Sequence, residues 1–99
     1  MPPEGLPWRL ELFEERLDQW IEAEDPPGDL QQVVFVWALS RAETPYQGVR
    51  RATGFSNLWY GIVPRARLPS GEVVVCSYFI EERSHTVRCT SFASLGFPV

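Results

Sequence analysis

Glu72-Val73-Val74-Val75-Cys76-Ser77-Tyr78-Phe79-Ile80 is a run of β-branched and aromatic residues, and the polar stretch Glu81-Glu82-Arg83-Ser84 follows it. His85 to Leu95 then returns with Val87, Cys89 and Phe92 among hydroxyl residues. Such a run, a polar break and a second run predict an antiparallel hairpin. A four-residue loop at Glu81–Ser84 sets Ile80 opposite His85, Tyr78 opposite Val87, Cys76 opposite Cys89 and Val74 opposite Ser91. One face then carries Val74, Cys76, Tyr78, Ile80 and Val87, an apolar set suited to a core. The other carries Val73, Val75, Phe79 and Phe92, mixed with Ser77, Arg88 and Thr90. A slip of one residue would put the two cysteines on opposite faces.

Upstream, Asn57–Val63 is a further strand, with Trp59 and Tyr60 adjacent and Pro64 as its end. Residues 44–57 read as a connection. Before it the period changes from two to 3.6. Leu30, Val33, Val34, Trp37, Ala38 and Arg41 follow helical spacing up to Pro45. The β-prone run Val33–Trp37 obliges this helix to be buried nearly all round or to present Phe35 and Val36 to a partner. Asp25-Pro26-Pro27-Gly28-Asp29 separates it from an earlier stripe at Leu10, Phe13, Leu17, Trp20 and Ile21. Asp25 or Asp29 is placed to cap the second helix. The earlier stripe predicts a helix over 8–24; alternation at Leu6, Trp8, Leu10 and Leu12 offers a short strand as the rival. The expected architecture is one α+β domain over 1–99. It has a loose lead-in at 1–7, a helical hairpin over 8–43 and an antiparallel sheet of three or four strands over 56–95, with the helices on one face.

The 99 residues are 44% hydrophobic and 13% aromatic, enough for a core and too much for a disordered chain. No apolar run reaches the roughly 18 residues of a membrane span. Met-Pro-Pro-Glu offers neither a basic nor an apolar leader, so the expected location is the cytoplasm. The net charge of −4 is uneven. Residues 1–30 carry −7, residues 31–67 carry +4 and the rest carry −1. Overall acidity argues against a protein that coats nucleic acid. The arginines of the middle segment, Arg50, Arg51, Arg65 and Arg67, are candidates for an anion or phosphate patch, joined by Arg88. The bland reading is surface charge flanking loops. Glu11, Glu14, Glu15, Asp18 and Glu22 read as the wet face of the first helix.

Two cysteines and one histidine make no zinc site without carboxylate help, and no C-x-x-C spacing occurs, so Cys76 and Cys89 read as reduced core thiols. His85 at a turn reads as a solvated polar residue. No metal, cofactor or catalytic residue is assigned, and no Gly-rich phosphate loop, G-x-S-x-G or H-E-x-x-H occurs. Four Trp, three Tyr and six Phe are more aromatic surface than so small a core encloses. Phe35, Val36, Trp59, Tyr60 and Phe97 are the interface candidates, and a homodimer or a tight partner is expected.

Pro45-Tyr46-Gln47-Gly48-Val49-Arg50-Arg51, Asn57-Leu58-Trp59-Tyr60, Gly71 through Ile80-Glu81-Glu82, and Thr86 through Leu95 together resemble the RelE/ParE toxin superfamily over residues 33–95. The resemblance implies a small toxin-type protein that binds a macromolecular target and is neutralised by an antitoxin-like partner. RelE-type members cleave messenger RNA on the ribosome, and ParE-type members inhibit DNA gyrase. Where the family's nucleases place basic residues, this chain has Trp59, Gly61, Val75 and Leu95, so no catalytic residue carries over. The family's usual first strand is not clear in this chain. A non-catalytic interaction module, or homodimer, of the same fold is the alternative. A small enzyme with an arginine-lined anion pocket is the third.

Overall fold

The computed structural model describes residues 6–96. The chain runs β1 (Arg9–Glu11), α1 (Phe13–Glu24), α2 (Gly28–Ser40), β2 (Arg50–Arg51), β3 (Leu58–Arg67), β4 (Val73–Glu81) and β5 (Thr86–Leu95). The five strands form one sheet in the order β1-β5-β4-β3-β2. Both helices lie on one face, so the α+β class holds. The sheet differs from expectation in having five strands and in being mixed, because β1 joins β5 in parallel through Arg9↔Thr86, Leu10↔Val87 and Glu11↔Arg88.

Strand β1 corrects the single helix expected over 8–24. Leu6–Leu12 alternates, and β5 offers an unpaired edge that such a segment can join. Trp8 N–H donates to the Ala42 carbonyl and Arg9 N–H to that of His85. Leu12 then takes a left-handed φ of 65°, and the 3.6 period begins at Phe13. Asp25 ends α1 with a second left-handed turn, its N–H on the Ile21 carbonyl. Asp25 therefore caps the helix before it and not the one after. The residue preceding α2 is Pro27, which supplies no side-chain cap, and Asp29 lies inside the first turn.

The 3.6-spaced residues of both helices supply the core. Phe13, Leu17 and Trp20 of α1 and Leu30, Val34 and Ala38 of α2 are buried against Val63, Val74, Cys76, Tyr78, Ile80, Val87, Cys89 and Phe92. Each fully buried aliphatic or aromatic side chain contributes about 1.5–3 kcal/mol by leaving water. The inner face predicted for β4 is buried in full: Val74, Cys76, Tyr78 and Ile80 are at most 3% exposed.

The last hairpin has a different register. Its pairs are Glu81↔Thr86, Ile80↔Val87 and Tyr78↔Cys89, so the loop is Glu82–His85 and not Glu81–Ser84. His85 closes that loop at φ 54°, a conformation histidine tolerates better than most residues. The shift is two residues, which preserves the faces. A bulge at Ser77/Tyr78 then adds one more, pairing Cys76 with Phe92 and turning Phe92 inward, where the regular register put it outside.

Pro64 does not end β3. The pairing with β4 jumps from Ile62↔Val75 to Arg67↔Val73, and Pro64 sits inside this bulge beside Arg65 at φ 63°. A bulge is one of the few sheet positions that tolerate proline's missing N–H. The connection over 44–57 also holds β2, whose Arg50 and Arg51 pair with Tyr60 and Trp59. Among the described residues, no helix is long and apolar enough to cross a membrane.

Candidate functional site

The five candidate arginines do not converge. Arg50 and Arg51 are exposed on the edge strand β2, opposite Tyr60 and Trp59. Arg67 pairs with Val73, four β4 positions from Ser77, the partner of Tyr60. At about 3.3 Å per residue, the two arginine pairs are separated by some 13 Å or more. Arg65 and Arg67 share a shallow groove with Asp29 and the apolar Leu30, Val33 and Leu68. Arg67 spends one donor on the Gly71 carbonyl at 2.9 Å. Arg88 lies on the helix-free face of the sheet, ion-paired to Glu81 at 2.7 Å and to Glu11 at 3.1 Å. Its charge is answered within the chain.

The interface candidates separate as well. Phe35 and Val36 project from α2, 45% and 54% exposed. Tyr60 is exposed on the opposite side, the helix-free face. Trp59 is half-buried on the helix side, edge-on to Tyr46 with ring centroids 5.1 Å apart. Phe97 lies outside the described residues.

A wide concavity runs between the helices. α1 lies over β5 and α2 over β3, so the two helices diverge and leave a trough of about 710 Å³. Its floor is the outer rim of the core, Phe13, Leu17 and Ala38, and its lip is Leu12, Phe35 and Leu39, all exposed. Glu14, Glu15 and Asp18 line the α1 wall. These acids are exposed, as expected of the wet face of α1, and they also border the apolar trough. α2 resolves its dilemma on this side: it is apolar nearly all round, and the sheet covers only one stripe of it.

Arg41 is the residue that sequence reading missed. It is 3% exposed, with its guanidinium 4.2 Å from the centroid of Trp37. It donates to the Gln47 carbonyl at 2.8 Å and to Tyr78 Oη at 3.3 Å. Tyr78 Oη in turn donates to the Pro45 carbonyl. This knot ties the segment after α2 to the centre of the sheet. Among the described residues no carboxylate pairs with Arg41. The available signal was its place in the apolar stripe of α2, four residues after Trp37 and seven after Val34.

Cys76 and Cys89 are buried with sulfurs 3.9 Å apart. Burial pushes the Cys76 thiol well above its ordinary range, and the neighbouring Cys89 adds to the rise. A thiol so placed is a poor nucleophile. Burial also raises the Tyr78 phenol, with Arg41 working against the rise. His85 lies in the turn, as expected, but is only partly open to solvent. Its ring stacks on Trp8 at 3.9 Å, and Nε2 is 3.1 Å from the Leu6 carbonyl. Among the described residues no three His, Cys, Asp or Glu side chains cluster as metal ligands. What the arrangement offers chemically is recognition: an apolar trough with an acidic wall, and separate exposed arginine pairs.

No protein family, curated protein or solved structure matched the chain.

Proposed function

We propose that this chain is a cytoplasmic RelE/ParE-like toxin-type protein that acts by binding a macromolecular target and is controlled by a protein partner. The observation that carries the partner is the α1–α2 trough. An amphipathic helix seats its apolar face in such a groove. The acids Glu14, Glu15 and Asp18 on one wall select for lysine or arginine along that helix's flank. Strand β1, ahead of the helical hairpin, supports the family resemblance, which calls for a first strand there. The exposed Arg65 and Arg67, at a bulge outside the trough, are placed to meet a polyanionic target.

The test is expression from a tightly controlled promoter in a host that lacks a cognate partner. Growth arrest is expected, and Arg65→Ala with Arg67→Ala should abolish it while the protein still folds. Harmless expression of the wild type would favour the interaction module instead.

A further inference from the structure

β5 is ten residues long, yet β1 pairs with only Thr86, Val87 and Arg88. Beyond Arg88, no strand joins the outer side of β5 among the described residues. Past the bulge, Ser91–Leu95 runs in regular register with β4, so alternate residues turn their N–H and C=O groups to that open side. The remaining edges of the sheet are blunted. β3 carries Pro64 and the left-handed Arg65, and β1 and β2 are two or three residues long and charged. Ser91-Phe92-Ala93-Ser94-Leu95 has no charge, proline or glycine. Strand edges without those protections pair with other strands.

A groove of about 290 Å³ runs beside this edge, walled by one stripe of α1. Trp20 anchors the stripe, donating Nε1–H to Ser94 Oγ at 2.8 Å. Arg16 and Glu24 lie one helical turn to either side of it and line the groove. Arg16 Nε is shielded from solvent and has no hydrogen-bond partner among the described residues.

We propose that this edge is a homodimer interface. Two copies join β5 to β5 antiparallel about a two-fold axis near Trp20, giving one continuous sheet with each Arg16 against the other copy's Glu24. A two-fold interface must be self-complementary, residue i meeting j as j meets i. Arg16 and Glu24 are equally distant from Trp20 and opposite in charge, so one axis satisfies both pairs and supplies a carboxylate to a guanidinium that its own chain meets only through Gln19 Oε1, 3.3 Å from Nη1. Glu14, Glu15 and Asp18 border the α1–α2 trough, on another side of the helix, and are not forced against their counterparts. The dimer leaves that trough open, so its failure and the failure of the partner-binding reading are separate results.

Sedimentation of the full chain tests the proposal. The wild type should be dimeric at micromolar concentration. Arg16→Glu and Glu24→Arg should each weaken self-association by about tenfold or more, since each places like charges at both contacts. An equimolar mixture of the two variants should recover a dimer, because every contact again pairs opposite charges. Both variants should keep the wild-type circular dichroism, which separates lost association from lost folding. Amide exchange at Ser91–Leu95 should slow as concentration rises. A wild type that stays monomeric at high micromolar concentration would overturn the proposal. So would a dimer that neither reversal weakens, which would place the interface on α2 or the helix-free sheet face, or a mixture that fails to recover.

Discussion

Gly61 shows how one residue is dictated by its neighbours. A Cβ there would lie 2.8 Å from Val49 Cγ1 and 2.9 Å from the Gly48 carbonyl oxygen, where the segment before β2 crosses β3. Gly61→Ala should cost about 1–3 kcal/mol, read as a lowered denaturant midpoint. The cysteines make a second prediction. Buried side by side, neither should react with a thiol reagent in the folded protein, and two should react once it is unfolded. Reaction of both at the unfolded rate under native conditions would contradict the packing. Tyr46 makes a third. Partial desolvation first, and then its hydrogen bond to the Glu82 carboxylate, raise its phenol from 10.0 to about 12. The folded protein therefore holds this proton where the unfolded chain releases it. Its stabilising effect is complete below pH 10 and is lost as pH rises through 12. Tyr46 is exposed, so the effect is screened and modest, but absorbance titration should show a tyrosine ionising late, and Glu82→Gln should bring it earlier.

At the scale of elements, α2 is a helix whose composition exceeds what its sheet can cover. Leu30, Val34 and Ala38 are buried, while Phe35, Val36 and Leu39 face outward. Replacing Phe35 and Leu39 with glutamine should change stability by about 0.5 kcal/mol or less each, since neither is a core contact. The same pair should reduce the fluorescence of a bound hydrophobic dye, because both form the lip of the trough. Dye binding that survives the double substitution would move the apolar site to the helix-free face, around Tyr60 and Ile62. β1 is the converse case. It is three residues long, too short for propensity to decide, and it exists because β5 supplies a ladder for it.

Taken as a whole molecule, the fold has a covered and an uncovered sheet face. The uncovered face carries Glu11, Arg88 and Glu81 in one ion-paired row beside β1. These groups are more than one-third exposed and screened by solvent, so Arg88→Met should leave the denaturant midpoint nearly unchanged. Its arginine should also be dispensable for any growth arrest, unlike Arg65 and Arg67. That contrast is the measurable form of the charge layout. The middle of the chain is basic, but folding divides its arginines between two ends of β3 and leaves Arg88 paired.

The helical hairpin, the order of the three long strands and the inner face of β4 were legible in the sequence because they depend on local period. Leu17 and Trp20, or Val74, Cys76 and Tyr78, recur at the interval of their element whatever lies opposite. Tertiary structure alone decided features that need a partner distant in the chain. The hairpin register followed from the left-handed His85 and from a bulge that costs little once Phe92 has a core to enter. The burial of Arg41 followed from carbonyls at Pro45 and Gln47 gathered around Tyr78, which no spacing announces. The dispersal of the arginines was hidden for the same reason. Charge can be summed along a sequence, but whether two charges meet depends on strand pairing, and on how many residues a bulge at Pro64 removes from the path between them.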